Sequence, residues 1–238
     1  QVIDHQIITR RTCLGFAKAH AHQNMNPAPE VLFEDESLLV LNKPSGMLTE
    51  GGEQREDDLE QVAARYTGKP AFCCHRLDRL TSGVVLMRKN NRYNAELSAI
   101  FEQRQVRKLY WAVVEGLWPS GIHKVETQIG PVGNGIWANV TSGGKQSSST
   151  FQVLGFSQKL NLSWLSVLLK TGRTHQARLH CQHAGCPIVG DPQYGSDSPS
   201  EFFGLHAREL RLRHPANGEE LHLSAPPPAS WTATLAQF

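Results

Sequence analysis

The sequence predicts one mixed domain in which short strands outnumber helices, and three observations carry that prediction. Apolar runs of strand length recur along the chain, bounded by Gly, Pro, Asn and Ser. Only a few segments space their apolar residues as a helix does. No internal repeat and no second boundary divides residues 30–225. With 238 residues, 39% hydrophobic and 19% charged, the chain can build one sizeable core or two small lobes around a cleft.

Taken in order, residues 1–29 are polar, rich in His and Gln, and end in Asn26-Pro27-Ala28-Pro29, the composition of a loosely ordered arm. Val31–Phe33 and Leu38–Leu41 flank Glu34-Asp35-Glu36-Ser37 and read as a hairpin. It runs into Asn42-Lys43-Pro44-Ser45-Gly46, a turn expected to leave Lys43 at the sheet rim. Gly51–Asp58 reads as an acidic loop, and Leu59, Val62, Ala63 and Tyr66 give one face of a helix over Leu59–Tyr66.

Thr81-Ser82-Gly83 reads as the turn into a buried strand, Val84–Met87. Asn91–Gln103 reads as a helix whose Tyr93, Leu97, Ile100 and Phe101 face the core. Leu109–Val114 is a strand, Gly130–Lys145 a long loop or irregular hairpin, and Thr150–Phe156 a further strand. Leu162–Leu169, nearly continuous in apolar residues, is expected near the sheet centre. Arg173–Ala184 is a helix stopped by Gly185 and Pro187. Leu205–Leu212 is the last strand, and residues 226–238, with three successive prolines, form a tail over the surface.

Composition narrows the function. No apolar run approaches the ~20 residues that span a bilayer. The five cysteines, Cys13, Cys73, Cys74, Cys181 and Cys186, are odd in number and include an adjacent pair, which suits a reducing compartment better than a disulfide framework. The net charge of +2 conceals a strong asymmetry: ten acids and two bases lie between Glu30 and Glu60, then nineteen bases and eleven acids from Gln61 onward. A basic half of that kind suits a polyanion such as RNA.

The chemistry concentrates in His75-Arg76-Leu77-Asp78-Arg79-Leu80-Thr81-Ser82-Gly83. Asp78 is expected on a loop at the rim of the sheet, as an anion with arginines on either side. A half-buried carboxylate needs a cation to stay ionised. Arg178, on the helix after Thr171-Gly172, is the best candidate for that partner. Tyr110 begins the strand after the basic stretch of Arg104, Arg107 and Lys108, where its ring would stack on a base. Thr171–Gln176 is small and cationic, so a phosphate could meet free N–H groups at the following helix.

His175, His180, Cys181, His183 and Cys186 crowd one helix, but their spacing is poor for zinc. Neither a nucleotide-binding phosphate loop nor a dinucleotide fingerprint is present. A hydrolase using Asp78 with His75 or His206 and a non-enzymatic RNA-binding module stand as alternatives.

Six segments, in order, resemble the RluA-type pseudouridine synthases, isomerases of ribosomal and transfer RNA uridines. They are Asn42–Gly46, His75–Asp78 with Thr81–Gly83, Lys108-x-Tyr110, Thr171–Gln176 with Arg178, Pro187–Asp191, and Leu205–Ala207. The resemblance implies an α+β pseudouridine synthase fold, a bent and mostly antiparallel mixed sheet with flanking helices and a central RNA cleft. It implies Asp78 as the catalytic aspartate, Tyr110 beside the target base, Arg178 paired with Asp78, and Arg76 helping to extrude the uridine. Lys43, Arg79, Lys108, Arg173, His175 and Gln176 are expected, with Arg76, to contact RNA. No cofactor or metal is implied, and a cytoplasmic monomer is expected. Residues 1–29 are too short for the N-terminal RNA-binding module that many relatives carry.

Overall fold

The structure, a computed structural model, describes residues 28–51, 58–195, 200 and 202–238. Most of the expected N-terminal arm and of the acidic loop lies outside the described residues. The predicted hairpin forms from β1 (Glu30–Glu34) and β2 (Leu38–Lys43). Asp35 fixes its turn by accepting from the Ser37 and Leu38 N–H groups, each at 2.7 Å. Helix α1 (Leu59–Thr67) starts where the Asp58 carboxylate accepts from the Gln61 N–H at 2.8 Å, and ends at Gly68 with φ of 68°.

Then follow β3 (Phe72–Cys73), β4 (Ser82–Arg88), α2 (Asn94–Glu102) and β5 (Arg107–Glu115). Strands β6 (Lys124–Gly133), β7 (Ile136–Val140), β8 (Lys145–Ser157) and β9 (Leu162–Leu169) follow, with β6 paired to both β7 and β8, and β8 to β9. The chain ends with α3 (Gln176–His183), β10 (Leu205–Arg213), β11 (Glu220–Ser224), a 3-10 turn (Ala229–Trp231) and α4 (Thr232–Leu235).

The strands make one 11-stranded sheet in the order β1-β2-β4-β10-β5-β9-β8-β6-β7, with β3 beside β4 and β11 beside β10. Among these pairings only β4–β10 is parallel, so the fold is mixed and mostly antiparallel, as the resemblance implies. That parallel pairing is the seam between the two halves of the sheet. Gly83 stands opposite Ala207 there, and a Cβ on Gly83 would lie 2.2 Å from the Ala207 carbonyl oxygen. Beside it the Ser82 hydroxyl and His206 Nδ1 are 2.9 Å apart. The Thr-Ser-Gly and Leu-His-Ala segments thus meet each other and hold the sheet together.

Alternation along the strands divides the core. Leu39, Leu41, Val85, Met87, Ala112, Val114, Leu165 and Val167 face α1 and α3, whereas Leu38, Val40, Val84, Leu86 and Leu210 face α2 through Leu97. Behind the second half of the sheet, Trp231 is 1% exposed and packs with Val113, Val189, Trp164 and Phe238. The C-terminal segment therefore covers the sheet's outer face, and burying each such large side chain contributes about 1.5–3 kcal/mol.

Several boundaries differ from the sequence expectation. Ser82 and Gly83 already belong to β4. Strand β8 begins at Lys145, because Ser147 and Ser149 are buried on it by hydrogen bonds that apolar patterning does not register. Gly130–Lys145 holds an irregular hairpin, one of its two expected forms, with the register shifting between Pro131 and Gly133 and with Asn134 and Gly135 at positive φ in its turn. Leu205–Leu212 is not the last strand, since β11 returns against it.

Candidate active site

Asp78 lies on the loop between β3 and β4, and that loop is stitched to the segment following β2. The Thr49 hydroxyl donates to the Leu77 carbonyl at 2.8 Å and accepts from the Leu77 N–H at 3.1 Å. The Ser45 hydroxyl donates to the Leu80 carbonyl at 2.6 Å, and the Gly46 N–H donates to the Arg79 carbonyl at 2.9 Å. Lys43 completes the frame, donating from Nζ to the carbonyls of Pro44 (3.0 Å), Met47 (2.7 Å) and Arg79 (3.1 Å). Asn42–Gly46 therefore shapes the loop that carries Asp78.

The cation beside Asp78 is Arg178, with Nη1 3.3 Å from Asp78 Oδ2. Arg178 is itself clamped by Asp191, donating from Nε to Oδ2 at 2.7 Å and from Nη2 to Oδ1 at 2.8 Å. Burial works against charge on Arg178, yet the hydrogen bonds and charges of Asp191 and Asp78 hold its pKa above the ordinary value. Burial likewise opposes charge on Asp191, but Arg178 and the N–H groups of Gln193 and Tyr194 hold its carboxyl below the usual range. The guanidinium is thus fixed in place and in charge. With Oδ2 occupied, Asp78 Oδ1 has His175 Nε2 at 3.9 Å and accepts no hydrogen bond from a described residue.

His175 is held with φ of 55°, an uncommon conformation for a side chain of this size. Its Nδ1 is 2.8 Å from the Tyr194 hydroxyl. That hydroxyl spends its one proton on the Trp137 carbonyl at 2.9 Å, so His175 Nδ1–H is the donor between them. Nε2 of the neutral ring then presents a lone pair toward the Asp78 side. Burial lowers the His175 pKa, against the pull of the Asp78 charge.

Tyr110 is on the face of β5 that packs toward α1 and α3 and is 9% exposed. Burial first, and the Asp78 charge second, raise its pKa, so the phenol keeps its proton at any working pH. Asp78, Arg178, His175 and Tyr110 are therefore the predicted residues that the fold brings together.

Other expectations need correction. Lys43 is fully buried and its ammonium is spent on three carbonyls, so it is a frame residue and not a rim lysine for RNA. Gln176 is also buried: its side chain accepts from Thr171 Oγ1 and the Arg173 N–H and donates to the Ser148 carbonyl and Ser149 Oγ. Helix α3 starts only at Gln176, and Gln176 itself occupies the N–H of Arg173, which leaves less for a phosphate than the sequence suggests.

Among the described residues, neither Arg76 nor Arg79 pairs with the Asp78 carboxylate that it flanks in sequence. Arg76 pairs with Glu50 at 2.9 Å and stays largely exposed, and Arg79 donates to the Gly46 carbonyl at 3.0 Å. Arg173 donates from Nε to the Gln146 carbonyl at 3.0 Å, and Lys108 leans over Gly172.

The histidines of the alternative readings are occupied elsewhere. His75 accepts from the Leu86 N–H at 3.1 Å and is held neutral by burial, its pKa down at about 3. His206 lies in the sheet seam. His180 binds the hydroxyls of Ser149, Ser147 and Thr127. Among the described residues, no three His, Cys, Asp or Glu side chains converge as a metal site would require.

Asp191 and Tyr194, which orient Arg178 and His175, carry no predicted role. The signal was present in Pro187–Asp191, a rigid turn holding a lone acid in a basic stretch.

Residues 37–183 match the family described as RNA pseudouridylate synthase. The ribosomal large subunit pseudouridine synthase C of Vibrio parahaemolyticus is 32% identical over 206 residues, covering 82% of this chain and 65% of that protein. The protein of the same name from Rickettsia prowazekii is 32% identical over 236 residues, covering 96% of this chain and 78% of its own. This chain thus spans about two thirds to three quarters of those relatives' lengths. Among solved structures, Human RNA Pseudouridylate Synthase Domain Containing 4 superposes with a TM-score of 0.70 at 26% identity, covering 87% of this chain and 92% of that one. A buried arginine shared between a half-exposed aspartate and a structural one, a protonated tyrosine beside them, and these matches together mean that the chain belongs to the RNA pseudouridylate synthase family, whose members isomerise uridine to pseudouridine in RNA.

Proposed function

We propose that this protein isomerises uridine in large-subunit ribosomal RNA, with Asp78 as the essential catalytic residue. The observation that carries the reading is the division of labour on Asp78: Oδ2 is held by Arg178 at 3.3 Å while Oδ1, beside Tyr110 and His175, accepts no hydrogen bond from a described residue. A carboxylate held by a cation that cannot lose its proton keeps its charge as a nucleotide displaces water from the cleft. The names of the bacterial relatives favour large-subunit ribosomal RNA over transfer RNA as the substrate.

The reaction needs neither an oxidant nor an activated group. The C1′–N1 bond breaks with its electron pair leaving on the uracil, the base turns, and C5 bonds to C1′. The C5 proton then departs and N1 gains one, so atoms and charge balance. Asp78 Oδ1 serves this sequence as the anion facing the sugar, where charge deficiency develops at C1′. Arg178 orients that carboxylate, and Tyr110 offers an aromatic face and a hydroxyl proton to the extruded base. Arg76, exposed on the same loop, would occupy the gap that the uridine leaves in its stack.

The test is tritium release from uridine C5 in unmodified large-subunit ribosomal RNA. Wild-type protein is expected to release tritium, and Asp78→Asn to release none while binding the RNA within about twofold of wild type. Normal turnover by Asp78→Asn would overturn the assignment.

A further inference from the structure

Among the described residues, a group of cations beside this site has no carboxylate partner. Lys108 stands two residues before Tyr110 on β5, so alternation puts both side chains on the same face of the sheet, about 7 Å apart along the strand. Its Nζ leans over Gly172, where an added Cβ would come within 2.8 Å. Burial lowers the pKa of Lys108, and the nearby charges of Arg104 and Arg173 lower it further. Arg104 follows α2 with a positive φ of 58°, and Arg173 is tethered through Nε to the Gln146 carbonyl, with no described residue bonded to its terminal nitrogens.

Lys89, Lys124, Arg76, Arg178 and Arg211 each have a carboxylate within 3.3 Å. Other cations such as Lys145 and Lys170 have none among the described residues, but Arg104, Lys108 and Arg173 differ in acting on one another beside Gly172. Among the described residues no carboxylate pairs with Arg104, Lys108 or Arg173. Three converging cations, one of them half buried, repel each other and lose hydration without compensation inside the protein. Such an arrangement is stable to occupation by an anion and unfavourable without one.

We propose that Arg104, Lys108 and Arg173 form one phosphate subsite, which holds a backbone phosphate flanking the extruded uridine. The inference rests on the reading of Asp78 as the group that meets the target sugar. A nucleotide whose C1′ stands at Asp78 carries its two phosphates within one sugar's reach, and the cation group begins one strand step from Tyr110. The subsite reads no base. It fixes the height of the strand in the cleft, so that the sugar and not the phosphate meets Asp78. Gly172 is required because its missing side chain leaves the space in which the ammonium and the phosphate oxygen approach.

Binding of an unmodified large-subunit ribosomal RNA transcript, measured against salt, tests the subsite without requiring turnover. Lys108→Met is expected to weaken binding by roughly fivefold and to reduce the slope of log affinity against log salt by about 1. Arg107→Met removes an equal charge from the opposite face of β5 and is expected to change neither. A stem-loop around the uridine mapped by tritium release then carries a neutral methylphosphonate at each flanking position in turn. One position is expected to weaken wild-type binding by roughly fivefold and Lys108→Met not at all.

An unchanged salt slope in Lys108→Met, or equal losses in both proteins at every position, would overturn the subsite. Lys108-dependent binding without any tritium release would instead reject the isomerase reading and leave the phosphate contact standing. Thermal unfolding of each variant separates a lost contact from a lost fold.

Discussion

Arg178 binds Asp191 through two hydrogen bonds of 2.7 and 2.8 Å and reaches Asp78 through one of 3.3 Å. The asymmetry assigns the two acids different work. Asp191, fully buried, fixes the guanidinium plane; Asp78, 29% exposed, receives what remains of its donor capacity. Asp191→Asn keeps the shape but loses the charge and one acceptor pair, so the guanidinium is free to swing toward Asp78. Turnover is expected to fall by roughly ten- to a hundredfold with KM nearly unchanged, since the substrate contacts remain. Asp191→Ala leaves a buried guanidinium half compensated and is expected to cost about 3–5 kcal/mol in urea unfolding. A loss of stability without loss of turnover in Asp191→Asn would reduce Asp191 to a packing role.

Tyr110 supplies a second prediction. Its raised pKa excludes the phenolate, so the hydroxyl acts as a neutral donor or acceptor. Tyr110→Phe keeps the ring and its stacking surface while removing only that hydroxyl. Single-turnover rates are expected to fall by roughly a hundredfold, with RNA affinity held within about twofold. The pH profile of the residual rate should keep its alkaline side unchanged. An alkaline limb that disappears in Tyr110→Phe would mean that the phenol does ionise.

The strands and helices that pack by apolar alternation were legible from the sequence, as β2, β4, β5, β9 and α2 illustrate. Candidate site residues were legible where short segments carry them: Asp78, Tyr110 and Arg178 stand in such segments, and the fold brings the three together. What escaped depends on distance in sequence. Arg178 is the partner expected for Asp78, but the turning of Arg76 and Arg79 toward Glu50 and the Gly46 carbonyl depends on contacts distant in sequence. Lys43 and Gln176 are polar residues whose partners are mostly backbone groups, and no one-dimensional pattern separates them from solvated ones. The start of β8 was missed for the same reason: its buried serines bond to Thr127 and His180, residues on other elements.

The sheet seam yields a prediction about folding. Gly83 has φ of 114°, and a Cβ there would overlap the Ala207 backbone, with 2.2 Å to its oxygen and 2.7 Å to its nitrogen. Neither contact can be relieved by rotating a side chain. Gly83→Ala must therefore part β4 from β10 or distort the loop leading from Asp78. A loss of about 3 kcal/mol or more is expected in chemical denaturation, with activity falling even where the protein stays folded. Gly121→Ala meets no atom within 4 Å and is the matched control, expected to stay within about 1 kcal/mol of wild type.

Lys43 couples the same loop to pH. Burial draws its pKa down from 10.5 to about 7, although the Asp78 charge resists. In the unfolded chain the lysine keeps its proton up to 10.5, so between pH 7 and that value the unfolded state binds more protons than the folded one. Stability contributed by this group therefore rises with pH across that interval and is lost as pH falls toward 7. Lys43→Met has no such group, and other titrations cancel when the two proteins are compared at each pH. From pH 7 to pH 9 the wild type is expected to gain about 2 kcal/mol relative to Lys43→Met in urea unfolding. The gain carries a local cost, because the three carbonyls of Pro44, Met47 and Arg79 match the three protons of an ammonium and a neutral amine can serve only two. Hydrogen exchange at the Gly46 amide, which donates to the Arg79 carbonyl, should consequently accelerate above pH 7 beyond the intrinsic base-catalysed increase, and do so in the wild type alone. A stability difference that stays flat from pH 7 to pH 9 would show that Lys43 remains charged throughout, held by its carbonyls and by Asp78.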